Sequence, residues 1–298
     1  MHSTALAPYL DLVRVYFAPA WPLLFCSGTL LAAATYGGLT GTVLLTAVLI
    51  ALFGFTAGLV LNDYVDRDLD RRDVDPRLSR YWRPFGTRPL AEGTVSPGRA
   101  RLLAVLLALA AGVLIATLPY PHSVYLLAIM GWSYLVEYAY QRLKRRQRYP
   151  VAQLLGRTDF ALFPVAGYLV LGHPDPAALL YFVFFYPFAL AHLGMNDMAD
   201  ITNDRARGLR TVPVLYGMEG AARWVLAFSL LHGAAAVVFA GLLGPLARAG
   251  LAAGLVCVMV ANLLVLRRPE EAIGLRALPL FHLAMACYAG GIVIDYVF

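Results

Sequence analysis

The sequence predicts an all-α integral membrane protein, and three observations carry that prediction. Of 298 residues, 60% are hydrophobic and only 14% charged, against about 45–50% and about 25% in soluble domains. The apolar residues gather into nine segments, each long enough to cross a hydrocarbon core of about 30 Å as a helix. The period-2 segments of about ten residues that mark a membrane barrel are absent. Inside a bilayer every backbone polar group must be satisfied within the segment itself, which leaves helix as the conformation for each span.

In chain order the segments are 14–35, 41–62, 99–118, 122–141, 151–171, 176–195, 222–243, 248–266 and 278–297. They occupy residues 1–298 as one membrane domain and leave no room for a separate soluble one. The opening stretch "MHSTALAPYLDLVRVYF" lacks a basic n-region, a short apolar core and a small-residue cleavage site. No cleavable signal peptide is therefore expected. Cys26, Cys257 and Cys287 lie scattered in apolar segments without paired spacing, and are expected to pack as small buried hydrophobes.

The formal charge of +6 does not point to nucleic acid, because the basic residues sit in loops between spans. The connections after the second, fourth, sixth and eighth segments hold 21 of the 24 Lys and Arg residues. Such asymmetry places the N-terminus and these loops on the cytoplasmic side, facing anionic lipid, and the C-terminus outside.

Two of those loops carry chemistry. "LNDYVDRDLDRR" (61–72) and "MNDMADITNDRARG" (195–208) share the pattern Asn-Asp-x-x-Asp-x-x-x-Asp, both on the same side of the membrane. The motifs begin 134 residues apart, four spans, an offset that preserves orientation and suggests a parallel internal repeat. Offsets of three and four residues put Asp63, Asp66 and Asp70 on one helical face, and likewise Asp197, Asp200 and Asp204. Asp68 falls on another face, as a solvated bystander. Like charges stacked at the end of a membrane helix repel, and a cation relieves the repulsion. Hard oxygen ligands suit magnesium, which binds few carboxylates and completes its shell with water and phosphate oxygens. Two facing stripes would hold magnesium ions with a diphosphate between them.

"NDYVDRDLD" (62–70) with "RPLAEGTVS" (88–96), "YQRLKR" (140–145) and "NDMADITNDRARGLRTVPVLYG" (196–217) resemble the signatures of the UbiA superfamily of intramembrane prenyltransferases. The resemblance spans nearly the whole chain. It implies a ring of helices around a lipid-open cavity, capped on the cytoplasmic side by loops at about 63–98 and 197–221. It also implies transfer of an isoprenyl group from a prenyl diphosphate to a lipophilic acceptor, aromatic or quinone-precursor in kind. The six aspartates would hold Mg2+, with Asn62 and Asn196 ligating metal or orienting the carboxylates. One departure stands out: "RRDVDPRLSRYWRPFGT" (71–87) intervenes before the Arg-Pro element, and leaves open which of Arg77, Arg80, Arg83 or Arg88 reaches the substrate.

A leaving diphosphate needs basic partners. Lys144, the only lysine, matches the superfamily's lysine near the diphosphate, with Arg210 and Arg88 as further candidates. Polar groups inside spans are expected to face the bundle interior. These are Glu137, Arg157 and Asp159, which either bind a polar acceptor or neutralise one another across the interface, Glu137 with Arg157. Arg14 resembles an acceptor-binding position and is equally suited to anchoring the first span. Tyr138 is a candidate for stabilising an allylic cation through its ring face, and His192 is expected as a hydrogen-bonded core histidine. Two other functions fit the acidic pattern: a membrane terpene cyclase acting on a prenyl diphosphate, and a cation-coupled transporter. Transporter sites tend to lie at the bilayer midplane on broken helices, whereas these clusters sit at one surface beside basic loops.

Overall fold

A computed structural model describes residues 6–298. Residues 1–5, part of the N-terminus read above as cytoplasmic and free of a signal peptide, lie outside the described residues. Every regular element among the described residues is helical. After the short α1 (Ala7–Leu12) come α2 (Ala20–Tyr36), α3 (Gly41–Asp70), α4 (Arg77–Trp82), α5 (Pro97–Ala116) and α6 (His122–Leu143). They are followed by α7 (Val151–Gly156), α8 (Thr158–Tyr168), α9 (Pro176–Ala199), α10 (Ile201–Arg207), α11 (Val212–Phe239), α12 (Pro245–Arg267) and α13 (Glu271–Val297).

Local chemistry marks the starts of several helices. Thr40 caps α3 by accepting from Val43 N, and Asp175 caps α9 by accepting from Ala178 N at 2.8 Å. Proline follows the cap at the first turn of α5 and α9, where its missing N–H has no intrahelical partner to lose.

Seven of the helical segments among the described residues are long and apolar enough to cross a membrane. The nine segments drawn from the sequence all become helical, but two fall short of that standard. The 22-residue α6 carries Glu137, Gln141 and Arg142 in its second half. The segment 151–171 is broken at Arg157 into α7 and α8, with Pro164 inside α8 withdrawing one backbone donor. Boundaries differ as well. α3 runs eight residues past the expected end, so the first acidic motif is the protruding tip of a helix rather than a loop. α11 starts ten residues earlier than expected and kinks at Gly217, where φ is 72°.

Packing follows the chain. α2 packs on α3, α3 on α5, α5 on α6, α6 on α8, α8 on α9, α9 on α11, α11 on α12 and α12 on α13; α13 returns to α2 and closes the circuit. Cross-contacts between α2 and α8 and between α9 and α13 tighten it. The α2–α8 crossing is backbone against backbone. A Cβ at Gly167 would fall on the Phe25 carbonyl oxygen, one at Gly28 on the Pro164 carbonyl oxygen, and Thr29 Oγ1 donates to Gly167 O at 2.9 Å. Small residues permit this approach where no hydrophobic force drives helices together in lipid. Residues 71–96, with α4 at their centre, lie as a strap over the end of the bundle where α3 and α9 finish.

Gly167→Ala is expected to destabilise the protein by overpacking, by about 1–3 kcal/mol, whereas Gly131, with open space around its Cα, should accept alanine without loss. Thermal unfolding in detergent micelles checks both.

Candidate active site

The two acidic motifs meet in one cavity. Because α3 continues to Asp70, three turns present Asp63, Asp66 and Asp70 inward, 3%, 5% and 7% exposed. Asp68, on the other face, pairs with Arg67 and Arg71 at the surface. The second motif differs from the expected single stripe. α9 ends at Ala199, Asp200 breaks the helix at φ −119° and ψ 10°, and Asp204 lies on α10. All three carboxylates are nonetheless buried. Asp66, Asp70, Asp197, Asp200 and Asp204 share a cavity of about 190 Å3 with Arg83, Arg88, Lys144 and Arg207.

The first motif is saturated with cations. Asp63 binds Arg14 at 2.8 Å and Arg83 at 2.5 Å; Asp66 binds Lys144 at 2.7 Å and Arg145 at 3.3 Å; Asp70 binds Arg88 at 2.9 Å and Arg207 at 3.4 Å. The second motif is not. Asp197 has no ion pair among the described residues, only Gln153 Nε2 at 3.5 Å. Asp204 accepts from Thr211 Oγ1 at 2.7 Å and lies 3.9 Å from Arg207. Burial, followed by the neighbouring Asp200 and Asp197 carboxylates, pushes the Asp204 carboxyl well above its usual range. Burial likewise raises Asp200, against the pull of Arg207 and Arg88.

That imbalance tests the fit of a metal. Among the described residues no three His, Cys, Asp or Glu side chains already converge on one point. Magnesium does not require them to: it is held by one or two carboxylates, several waters and substrate phosphate oxygens. Buried, oxygen-only donors at Asp197 and Asp204, which lack a close cation, and at Asp200, which shares Arg207 at 3.3 Å, lie in one cavity with Asp66 and Asp70 and fit that chemistry.

The strap supplies the arginines. Among its four candidates, Arg83 (2% exposed) and Arg88 reach the cavity. Arg77 instead pairs outside with Asp75 and Glu271, and Arg80 is exposed. Asn203 clamps the strap's start, accepting from Val74 N and Asp75 N and donating to Asp75 O. The fully buried Asp11 clamps its end through Phe85 N and Thr87 N, each at 2.8 Å. Arg14 enters from the other side in left-handed backbone geometry, φ 50° and ψ 52°, a strain that clusters at functional sites in non-glycine residues.

Some expected residues lie elsewhere. Arg210 is exposed, its side chain donating to Gln147 O, and it lines neither cavity; Arg207, three residues earlier, stands among the carboxylates. Tyr138 is on the outer face under Arg142, while Tyr140, two residues on, lies in the wall beneath Lys144 at 5.0 Å. Glu137 does not pair with Arg157: it accepts from Asn62 Nδ2 at 2.6 Å and Gln141 Nε2 at 2.5 Å. Asn196 Oδ1 accepts from Trp82 of the strap at 3.2 Å. Arg207 was findable, since it continues the Asp200–Asp204 face at a helical offset. Asp11, Asp73 and Asn203 carried no local signal.

A second cavity, about 200 Å3, adjoins the first through shared walls at Arg14, Phe55, Asn62, Tyr140, Arg157 and Phe160. Its far end is apolar, lined by Ile50, Gly54, Ile115, Leu126 and Met130, while Glu137, Arg157 and Asp159 border it near the junction. Unpartnered buried nitrogens at Arg14 Nε, Arg83 Nε and Arg157 Nε line the polar chamber. Buried donors of that kind are costly unless a ligand satisfies them.

Comparison with known proteins agrees with this arrangement. Residues 20–285 match the UbiA prenyltransferase family. Over 222 residues the chain is 30% identical to digeranylgeranylglyceryl phosphate synthase of Methanothermobacter thermautotrophicus, covering 71% of this chain and 68% of the relative. Over 198 residues it is 30% identical to protoheme IX farnesyltransferase of Pseudomonas syringae, covering 66% of this chain and 63% of the relative. In fold it is similar to the apo structure of a UbiA homolog from Aeropyrum pernix, with a TM-score of 0.75 at 20% identity over 93% of this chain and 97% of that one. It is also similar to a UbiA homolog from Archaeoglobus fulgidus bound to GPP and Mg2+, with a TM-score of 0.73 at 17% identity over 98% of this chain and 100% of that one.

The raised Asp204 carboxyl fixes a pH dependence. An acid whose folded pKa lies above its unfolded value of about 3.9 binds more protons when folded, so stability falls as pH rises between the two. Metal-free protein should therefore lose thermal stability as pH rises from about 4 toward neutrality. Asp204→Asn should flatten that slope in detergent unfolding curves.

Proposed function

The chain belongs to the UbiA prenyltransferase family, and from that membership we propose that it transfers an isoprenyl group from a prenyl diphosphate to a lipophilic acceptor within the membrane. One observation carries the reading: a buried chamber of facing carboxylates and converging cations opens directly into an apolar chamber. Such a pair of compartments suits a molecule with a highly charged head and a hydrocarbon tail.

The chain's own residues have distinct tasks. Lys144, Arg83, Arg88 and Arg207 exchange carboxylate partners for diphosphate oxygens, and hold the charge that grows as the allylic C–O bond breaks. Magnesium, the cofactor named with the Archaeoglobus fulgidus homolog, would be held by aspartates of both motifs, and when bound it neutralises charge on the leaving diphosphate. Ile50, Ile115, Leu126 and Met130 surround the isoprenoid tail. Phe160 and Tyr140 stand at the junction of the chambers, where ring faces can stabilise a developing carbocation. Glu137, Arg157, Asp159 and Arg14 border the space in which an acceptor's polar group would be oriented. The strap over the polar chamber excludes water that would otherwise capture the cation.

In the bilayer, α6 and the broken α7–α8 pair complete a set of nine crossings. The strap and α10 form a cap on the cytoplasmic side, where the basic loops belong.

Purified protein given geranyl diphosphate, magnesium and a membrane-lipid extract as source of acceptor should release diphosphate, and the Asp63→Ala/Asp197→Ala double variant should not. Arg207→Met should lower release by about 10²-fold, the scale of one preorganised electrostatic partner. Arg210→Met should stay within about threefold of the wild type, as expected for a solvated surface charge. Absence of release by the wild type with every acceptor tried would contradict the transferase reading.

A further inference from the structure

One chain of polar groups beside the chamber has no task in the scheme above. His192 of α9 forms part of the polar cavity wall. Its Nε2 lies 2.9 Å from His282 Nε2 of α13, and His282 Nδ1 lies 2.5 Å from the hydroxyl of Tyr81 on the strap. His192 Nδ1 is buried and has no partner. Three elements separated by as many as 201 residues thus converge on a single line of hydrogen bonds.

Hydrogen-bond direction follows from the inventory of donors. If His192 carried its proton on Nδ1, a buried N–H would be left without an acceptor, which native structures rarely tolerate. The opposite assignment satisfies every donor in the imidazole pair. His192 Nε2–H donates to His282 Nε2, His282 Nδ1–H donates to the Tyr81 oxygen, and His192 Nδ1 is left with a free lone pair on a residue of the chamber wall.

Resting on the transferase reading, we propose that His192 is the base that takes the proton the acceptor loses on prenylation, with His282 and Tyr81 positioning it and sharing the charge. The step balances without another reagent. The allylic C–O bond breaks with its electron pair leaving on diphosphate, and the acceptor atom bonds to the allylic carbon. The acceptor's proton moves to His192 Nδ1 while the Nε2 proton shifts toward His282. Other bases in the chamber are poorly suited. The first-motif carboxylates are paired to arginine and lysine, those of the second motif are the magnesium ligands of the proposed function, and a diphosphate surrounded by those cations is a weak base. Phe160, Phe188 and Phe281 surround the His192 ring.

The test uses membranes from cells lacking the gene, which retain the native acceptor, supplied with purified protein and radiolabelled geranylgeranyl diphosphate. His192→Gln should lower label transfer to lipid by about 10²-fold or more, the scale of general-base catalysis. It should still gain thermal stability from geranyl diphosphate with magnesium, which reports an intact fold and donor site. His282→Gln, whose amide oxygen can accept the His192 proton, should retain most transfer; His282→Leu should lose it while keeping the same thermal shift. Full transfer by His192→Gln, equal transfer by the two His282 variants, or loss of the thermal shift together with transfer would overturn the proposal. Wild-type protein that neither transfers label nor gains stability from geranyl diphosphate would instead overturn the transferase reading beneath it.

Discussion

Buried charge must be matched by opposite charge or by a ligand, and the architecture at one end of this bundle follows from that requirement. Six aspartates at the tips of α3, α9 and α10 are removed from water, where an unpaired carboxylate costs several kcal/mol. The partners come from everywhere else: Arg14 before α2, Arg83 and Arg88 from the strap, Lys144 after α6, Arg207 from α10. Each pairing pins one element to another. Arg207 alone ties α10 to Asp73 of the strap at 2.5 Å and to Asp70 of α3. Removing either partner of such a pair leaves the other buried and uncompensated, which is why the charges stabilise geometry more than they stabilise the fold.

The imbalance between the motifs sets the charge balance of the chamber. The first motif is closed by its own cations, while the second, with Asp197 unpaired and Asp204 raised by its neighbours, is left short of positive charge. In the proposed function, magnesium held on that side would relieve the shortage, and Arg83, Arg88, Lys144 and Arg207 would turn from their carboxylates to diphosphate. Metal and diphosphate would thus bind as a nearly charge-matched set. The adjoining apolar chamber would favour a hydrocarbon tail by ordinary hydrophobic burial.

Helix periodicity made much of this legible in the sequence. The Asp63–Asp66–Asp70 face and the exclusion of Asp68 follow from offsets of three and four along a helix that does continue through Asp70. Lys144 was picked out as the chain's only lysine and by its resemblance to the superfamily's lysine near the diphosphate. What stayed hidden was orientation and distance. A helix apolar nearly all round does not reveal which face meets the cavity, so Tyr138 was chosen, whereas packing puts Tyr140 in the cavity wall. The stretch 197–221 read as a loop, so Arg207 was passed over for Arg210 although its offset from Asp204 is helical; Arg207 ends α10 and Arg210 lies beyond it. The contacts of Asp11 with residues 85–87 and of Tyr81 with His282 join distant parts of the chain with no local pattern to announce them.

The central claim is that the two acidic motifs form one charge-matched site. It is tested most directly by calorimetric titration of the purified protein with magnesium, with a non-hydrolysable thio analogue of geranyl diphosphate, and with each in the presence of the other. Coupling of about 1–3 kcal/mol, a roughly 5- to 150-fold gain in affinity and equal in both directions, is the predicted result. Analogue binding that is equally tight with and without magnesium would contradict the account.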